Sequence, residues 1–262
     1  MEENYDIFDE YAMGFDMNEN MIAYKYNHSY RVVHQAEEIC RSLNMDTVER
    51  DLASFIALVH DIARFKQWTE YKTFDDDKSF DHGNEGEKIL FDEGLIKKFN
   101  VSKDDYDVIR AAVRNHNKFM IEDGLNEREL LHSKIVRDAD KIDILYAFST
   151  NRLLEIEEDD EAGISDEIRE DFMNHKSSLR TKVKNKNDRL LTLIALVYDL
   201  NYDYSFQRIK DEKYIEKFYE HVKNKKLFKD YFDEIKKYLK EVTKWIVNMI
   251  LIVLKKENMI SG

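Results

Sequence analysis

Residues 49–65 read ERDLASFIALVHDIARF. Leu52, Phe55, Ile56, Val59, Ile62 and Ala63 recur at helical spacing and share one stripe. Two ionisable neighbours, His60 and Asp61, stand inside that apolar run, near the C-terminal end of the expected helix. Burying one such group without a partner is costly, and burying two adjacent ones needs a stronger reason. Successive residues on a helix differ by about 100° in direction. The pair can therefore approach one ion from adjacent sides.

The helical period extends outward from this stretch. In 28–43 the stripe is Val32, Ala36, Ile39, Cys40 and Leu43. Val108, Ile109, Ala112 and Val113 carry it through 106–118, and Leu130, Leu131, Ile135, Ile142, Leu145 and Phe148 through 127–148. No stretch alternates as a strand would, and the chain has no proline and only 7 glycines. The expected fold class is all-α. Residues 66–83 are polar and aromatic without a clear period and read as a loop. The acidic connection 155–166 is the expected seam between a helical core, 1–154, and a C-terminal helical extension, 155–262, packed on it. A weaker break falls at 201–205. The basic patches 182–189 and 223–226 read as solvated helix faces.

Composition narrows the function. With 262 residues and 43% hydrophobic content, a substantial core can form. A net charge of −13 argues against a general binder of nucleic-acid polymers. It leaves room for a small phosphorylated ligand in a locally positive pocket. The single cysteine, Cys40, rules out an intrachain disulfide and a cysteine-based zinc site. It reads as a small core residue and fits a reducing cytoplasm. The N-terminus has no basic region followed by an apolar run, so no secretory signal is expected. The apolar stretch 245–254 is about half the length of a membrane helix. It reads as a buried or partner-facing helix, with a membrane-surface role as the minor alternative because lysines flank it.

Eight histidines occur. His28 stands at the expected start of its helix, after Asn27. His82 lies in DHG, where Gly83 permits an irregular backbone. His116 lies in RNHNK at a helix end, and Asp140 in RDADKIDIL. The frames HSYRV, ALVHDIARF and DADKID follow one another in the order H…HD…D. This arrangement, from about residue 22 to 150, resembles the HD-domain metal-dependent phosphohydrolases, which have a compact helical bundle. Carried over by that resemblance, His28, His60, Asp61 and Asp140 would ligate a first ion. Asp61, His82 and His116 would ligate a second, with Asp61 as the bridge. Some two-metal relatives double the histidine where this chain has Asn115-His116, so a third ion is not expected.

Imidazole and carboxylate donors suit Mn, Fe, Co, Ni or Zn. Phosphate also needs cations. Arg64, three residues after Asp61, and Lys141, directly after Asp140, are the preferred candidates, ahead of Arg31 and Lys118; ordinary surface cations are the bland alternative. Trp68, Tyr71, Phe74 and Phe80 would either stack on a base as a lid or pin their loop to the body. His34 falls outside the pattern, and His132, eight residues before Asp140, could share its helix face, with support of the ligands as the minor reading. The expected activity is hydrolysis of a phosphate monoester or diester of a nucleotide-like metabolite. The alternatives are a di-iron oxygenase on the same scaffold and a metal- or nucleotide-binding sensor without catalysis. The oligomeric state is not readable.

Overall fold

The stripe around His60 belongs to two helices with a tight turn between them. In the computed structural model, which describes residues 1–150 and 157–260 and side chains as far as Lys244, the chain is helical. The helices are α1 (Glu2–Met13), α2 (Asn20–Ser42), α3 (Thr47–Val59), α4 (Ala63–Tyr71), α5 (His82–Phe91), α6 (Tyr106–Asn115), α7 (Glu127–Thr150), α8 (Asp166–Met173), α9 (Lys186–Ile194), α10 (Asp203–Asp211), α11 (Tyr214–His221) and α12 (Lys225–Ile260). Among the described residues there is no strand, as the periodicity predicts.

Backbone contacts divide the chain into two compact units, Met1–Asp143 and Ile144–Gly262. The seam expected between residues 154 and 155 lies outside the described residues.

In the first unit α2 packs along α3, α5 packs on α6 and α4, and α1 and α6 close on α3. Phe8, Ile22, Ile39, Phe55, Leu58 and Phe65 are fully buried there. Each such side chain contributes about 1.5–3 kcal/mol through its removal from water. The side chain of Asp46 accepts a hydrogen bond from the Glu49 N–H and caps α3. Asp81 does the same for α5 through Asn84. Each cap is worth about 1 kcal/mol.

Three local expectations are corrected. His28 is not at the start of a helix, because α2 begins at Asn20. Ile22, Tyr24 and Lys25 are already buried, so the inward face continues through that first stretch. The helix predicted over 49–65 stops at Val59 and restarts at Ala63. Within the turn, Ile62 N–H donates to Val59 O at 3.1 Å and Arg64 N–H to Asp61 O at 2.9 Å, a three-residue spacing tighter than α. The loop predicted over 66–83 is helical to Tyr71. Lys72, at φ +52°, ends α4 in the left-handed conformation and returns its N–H to Trp68 O.

In the second unit α8 packs with α9, α10 with α11, and α12 against all four. Phe172, Phe218, Phe228 and Phe232 fill its core. The patch 182–189 is not one solvated helix face. It crosses from a 3-10 turn into α9, and Asp188 is fully buried, accepting from the Ser165 N–H, the Ser165 hydroxyl and the Lys184 N–H. The backbone of 245–254 lies in α12, but its side chains are outside the described set. No described helix is long and apolar enough to cross a membrane.

Candidate metal centre

The turn at 60–62 sets the direction of the His-Asp pair. His60 Nδ1 donates to Ala57 O at 2.7 Å, so its Nε2 faces away from its own helix. The other three histidines are tethered in the same way. His28 Nδ1 donates to Asp143 Oδ2 at 2.7 Å, His82 Nδ1 to Asp76 Oδ2 at 2.7 Å, and His116 Nδ1 to Val113 O at 2.7 Å. An acceptor-only partner at Nδ1 fixes the tautomer and offers the Nε2 lone pair to an ion.

The four Nε2 atoms gather around Asp61. His28 Nε2 and His60 Nε2 are 3.3 Å apart and lie 3.3 and 3.5 Å from Asp61 Oδ2. Asp140 Oδ1 lies 3.2 Å from His28 Nε2 and 3.8 Å from His60 Nε2. On the other side, His82 Nε2 and His116 Nε2 are 3.0 Å apart and lie 3.5 and 3.4 Å from Asp61 Oδ1. All six residues that the sequence pattern singles out for metal are therefore brought together. They form two groups that share Asp61, one holding His28 and His60 and the other His82 and His116.

The donor set fits divalent cations. Asp61 Oδ1 is buried without a hydrogen-bond partner, with Arg64 Nε 3.5 Å away beyond hydrogen-bond geometry, so an ion bound there would satisfy it. Two imidazole nitrogens 3.0 Å apart, both with their protons on the far side, repel unless something positive lies between them. The electrostatics agree. Burial and Lys25 oppose a charge on His28, but Asp140, Asp143 and Asp61 outweigh them and raise it to about 10. The cluster thus demands positive charge at that point, and a metal ion and a proton compete for the same nitrogen. Burial and the Arg64 guanidinium lower His82 to about 3. Burial also disfavours the carboxylate of Asp61, yet Lys25 and the neighbouring histidines hold it well below the usual carboxylate range.

The candidate cations occupy different positions. Arg64 reaches the cluster, with Nε 3.5 Å from Asp61 Oδ1, while its Nη1 donates to Phe74 O and Asp76 Oδ1 at 2.8 and 3.1 Å. Lys141 is buried on α7 beside Asp140, about 100° around the helix from it. Arg31 holds Asp143 through a 2.6 Å contact, and Lys118 is paired with Asp81. His34 is exposed, and His132 pairs with Glu49 at 2.6 Å and not with the cluster. Among the aromatics, Phe74 lies under two cations, Lys25 and Arg64, and Trp68 packs on Phe74.

Three functional neighbours escaped the sequence reading. Lys25 Nζ is 2.5 Å from Asp61 Oδ2. Asp76 holds His82. Asp143 orients His28. The signal for Lys25 and Asp143 was spacing: each lies three residues from a ligand on the same helix, hence on its face. A cleft of about 300 Å³ lined by Tyr11, Phe15, Ile89 and Leu95 includes none of the six ligand candidates.

Fold and site together define a helical domain built around an imidazole–carboxylate cluster whose donors fit divalent ions. Residues 26–145 match the family model of the HD domain, so the HD-domain family is supported for that segment. No curated protein and no solved structure matches the chain.

Proposed function

We propose that the HD domain of this chain is a metal-dependent phosphohydrolase acting on a phosphate monoester or diester of a nucleotide or other small metabolite. The family's general chemistry supports this reading. The observation that carries it is Asp61, whose two oxygens each face a separate pair of imidazoles, with Oδ1 left without a hydrogen bond. His28, His60, Asp61 and Asp140 would hold one divalent ion, and Asp61, His82 and His116 a second; Mn, Fe, Co, Ni and Zn all suit these donors. Such ions supply Lewis acidity and bring the pKa of water toward neutrality.

The protein's own groups do the rest. The Nδ1 tethers keep the four rings fixed. Arg64 beside Asp61 provides positive charge for phosphate oxygens, and Lys141, next to Asp140 in the chain, is the second candidate for that role. Burial of His28, His60 and Asp61 keeps bulk water from the reacting centre. The net charge of −13 supports a small substrate over a nucleic-acid polymer, and the single buried Cys40 fits a cytoplasmic setting.

The test is elemental analysis of protein purified without chelators, then a phosphoester panel with Mn, Fe, Co and Ni added separately. Asp61→Ala should lose bound metal and lower turnover by more than about a hundredfold. An Asp61→Ala protein with normal hydrolysis would overturn the proposal. Oxygen consumption, or a nucleotide held by the ion-loaded protein without cleavage, would replace it with the oxygenase or the sensor reading.

A further inference from the structure

Lys25 is the charged group that the ligand pattern leaves without a role. It lies on α2 one turn before His28 and one residue outside the family match. Its exposure is 9%, and lysines are almost never buried to that degree without a purpose or a partner. Its ammonium sits on Asp61 Oδ2, on the His28–His60 side. Arg64 Nε sits on the other oxygen, Oδ1. The Phe74 ring centroid is 5.4 Å from Lys25 Nζ and 5.3 Å from the Arg64 guanidinium carbon, so one aromatic ring supports both cations.

The charge balance is uneven. The inner carboxylates are Asp61 and Asp140. Asp143 is already matched by Arg31 and His28, and Asp76 by Arg64 and His82. With Arg64 set against Asp76, one divalent ion offsets Asp61 and Asp140, and Lys25 leaves a small positive surplus that a second ion enlarges. With both ions bound, a substrate must bring the compensating negative charge, and a dianion does so better than a monoanion. Access points the same way. The side chains of His28 and His60 are fully buried and that of Asp61 is 3% exposed, while Lys25, Arg64 and Asp140 are the wetter members at 11, 13 and 16%. Lys25 and Arg64 are thus the cations of the cluster that solvent reaches.

Building on the phosphohydrolase reading, we infer that the site is made for a dianionic phosphate monoester, with Lys25 as a ligand of its phosphate oxygens. One N–H of the ammonium stays on Asp61 and two remain for phosphate. In the reaction, water adds to phosphorus, the ester P–O bond breaks, and the departing oxygen takes a proton. The products are inorganic phosphate and an alcohol.

Two measurements test this. The first compares kcat/KM of the ion-loaded protein for p-nitrophenyl phosphate and bis(p-nitrophenyl) phosphate. The monoester should lead by roughly tenfold or more, the scale of one charge-assisted contact. The second is calorimetric titration of inorganic phosphate into the ion-loaded wild type, Lys25→Met and Lys25→Arg. Lys25→Met should bind phosphate roughly 10- to 100-fold more weakly at undiminished metal content, and Lys25→Arg should restore most of the loss. Unchanged phosphate affinity in Lys25→Met, or a diester that matches the monoester, overturns the inference. The ester comparison uses wild-type protein and so stands even if the variant does not fold. Failure to take up a divalent ion, or to cleave either ester, sinks the phosphohydrolase reading and this inference with it. Ion uptake with diester preference sinks this inference alone.

Discussion

Each imidazole in the centre has one nitrogen committed to a protein oxygen. For His82 that oxygen belongs to Asp76, which also receives Arg64 and the Asn117 amide. Burial opposes the Asp76 charge, but His82 and Arg64 hold its carboxyl below the ordinary range. Asp76 is therefore an anchor for the second ligand group. Asp76→Asn keeps the shape and removes the charge. It should weaken the second ion by roughly 10- to 100-fold and leave the first in place. Chelator competition with two resolvable stoichiometries measures both, and equal loss of the two ions would show that Asp76 does not act through His82. The ligand candidates were legible because a His-Asp pair inside an apolar run is unusual and three frames came in the order H…HD…D. Their supports were not. Asp76 lies six residues before His82 in a segment with no period, and carboxylates such as Asp143 recur throughout a chain this rich in acidic residues.

At the level of elements, the all-α class and the inward faces of four helical stretches followed from the 3.6-residue stripe, but two ends did not. The stripe of α2 begins with Ile22 and then carries Lys25 and His28 at buried positions, so a reading based on apolar residues starts the helix late. The break between α3 and α4 is invisible in the stripe because Ile62 and Ala63 continue it. Gly83 also has a different purpose from the one expected. It lies inside α5, and a Cβ there would meet Asn117 Oδ1 at 2.4 Å and the Arg114 carbonyl oxygen at 2.8 Å. The glycine lets α5 approach the end of α6 closely enough for His82 and His116 to meet. Gly83→Ala should destabilise the ion-free protein by about 1–3 kcal/mol, read as a lower thermal midpoint, because a backbone oxygen cannot swing aside. An unchanged midpoint would mean that the two helices part without cost.

Across the whole molecule, one buried histidine stands apart from the metal centre. His132 on α7 keeps a neutral ring because burial outweighs its Glu49 partner and lowers its pKa from 6.5. The unfolded chain takes up that proton first as the medium acidifies. The stabilisation is therefore present above pH 6.5 and lost as pH falls through and below it. Denaturant midpoints of ion-free protein, compared between about pH 7.5 and 5.5, should fall less for His132→Gln than for wild type. Equal losses would assign the acid sensitivity to other groups.

Asp61 has a last consequence for this molecule. Its two oxygens serve both halves of the centre, so neither half has a private affinity. Whatever fills one alters the field felt by the other, and thermodynamic linkage makes that influence equal in both directions.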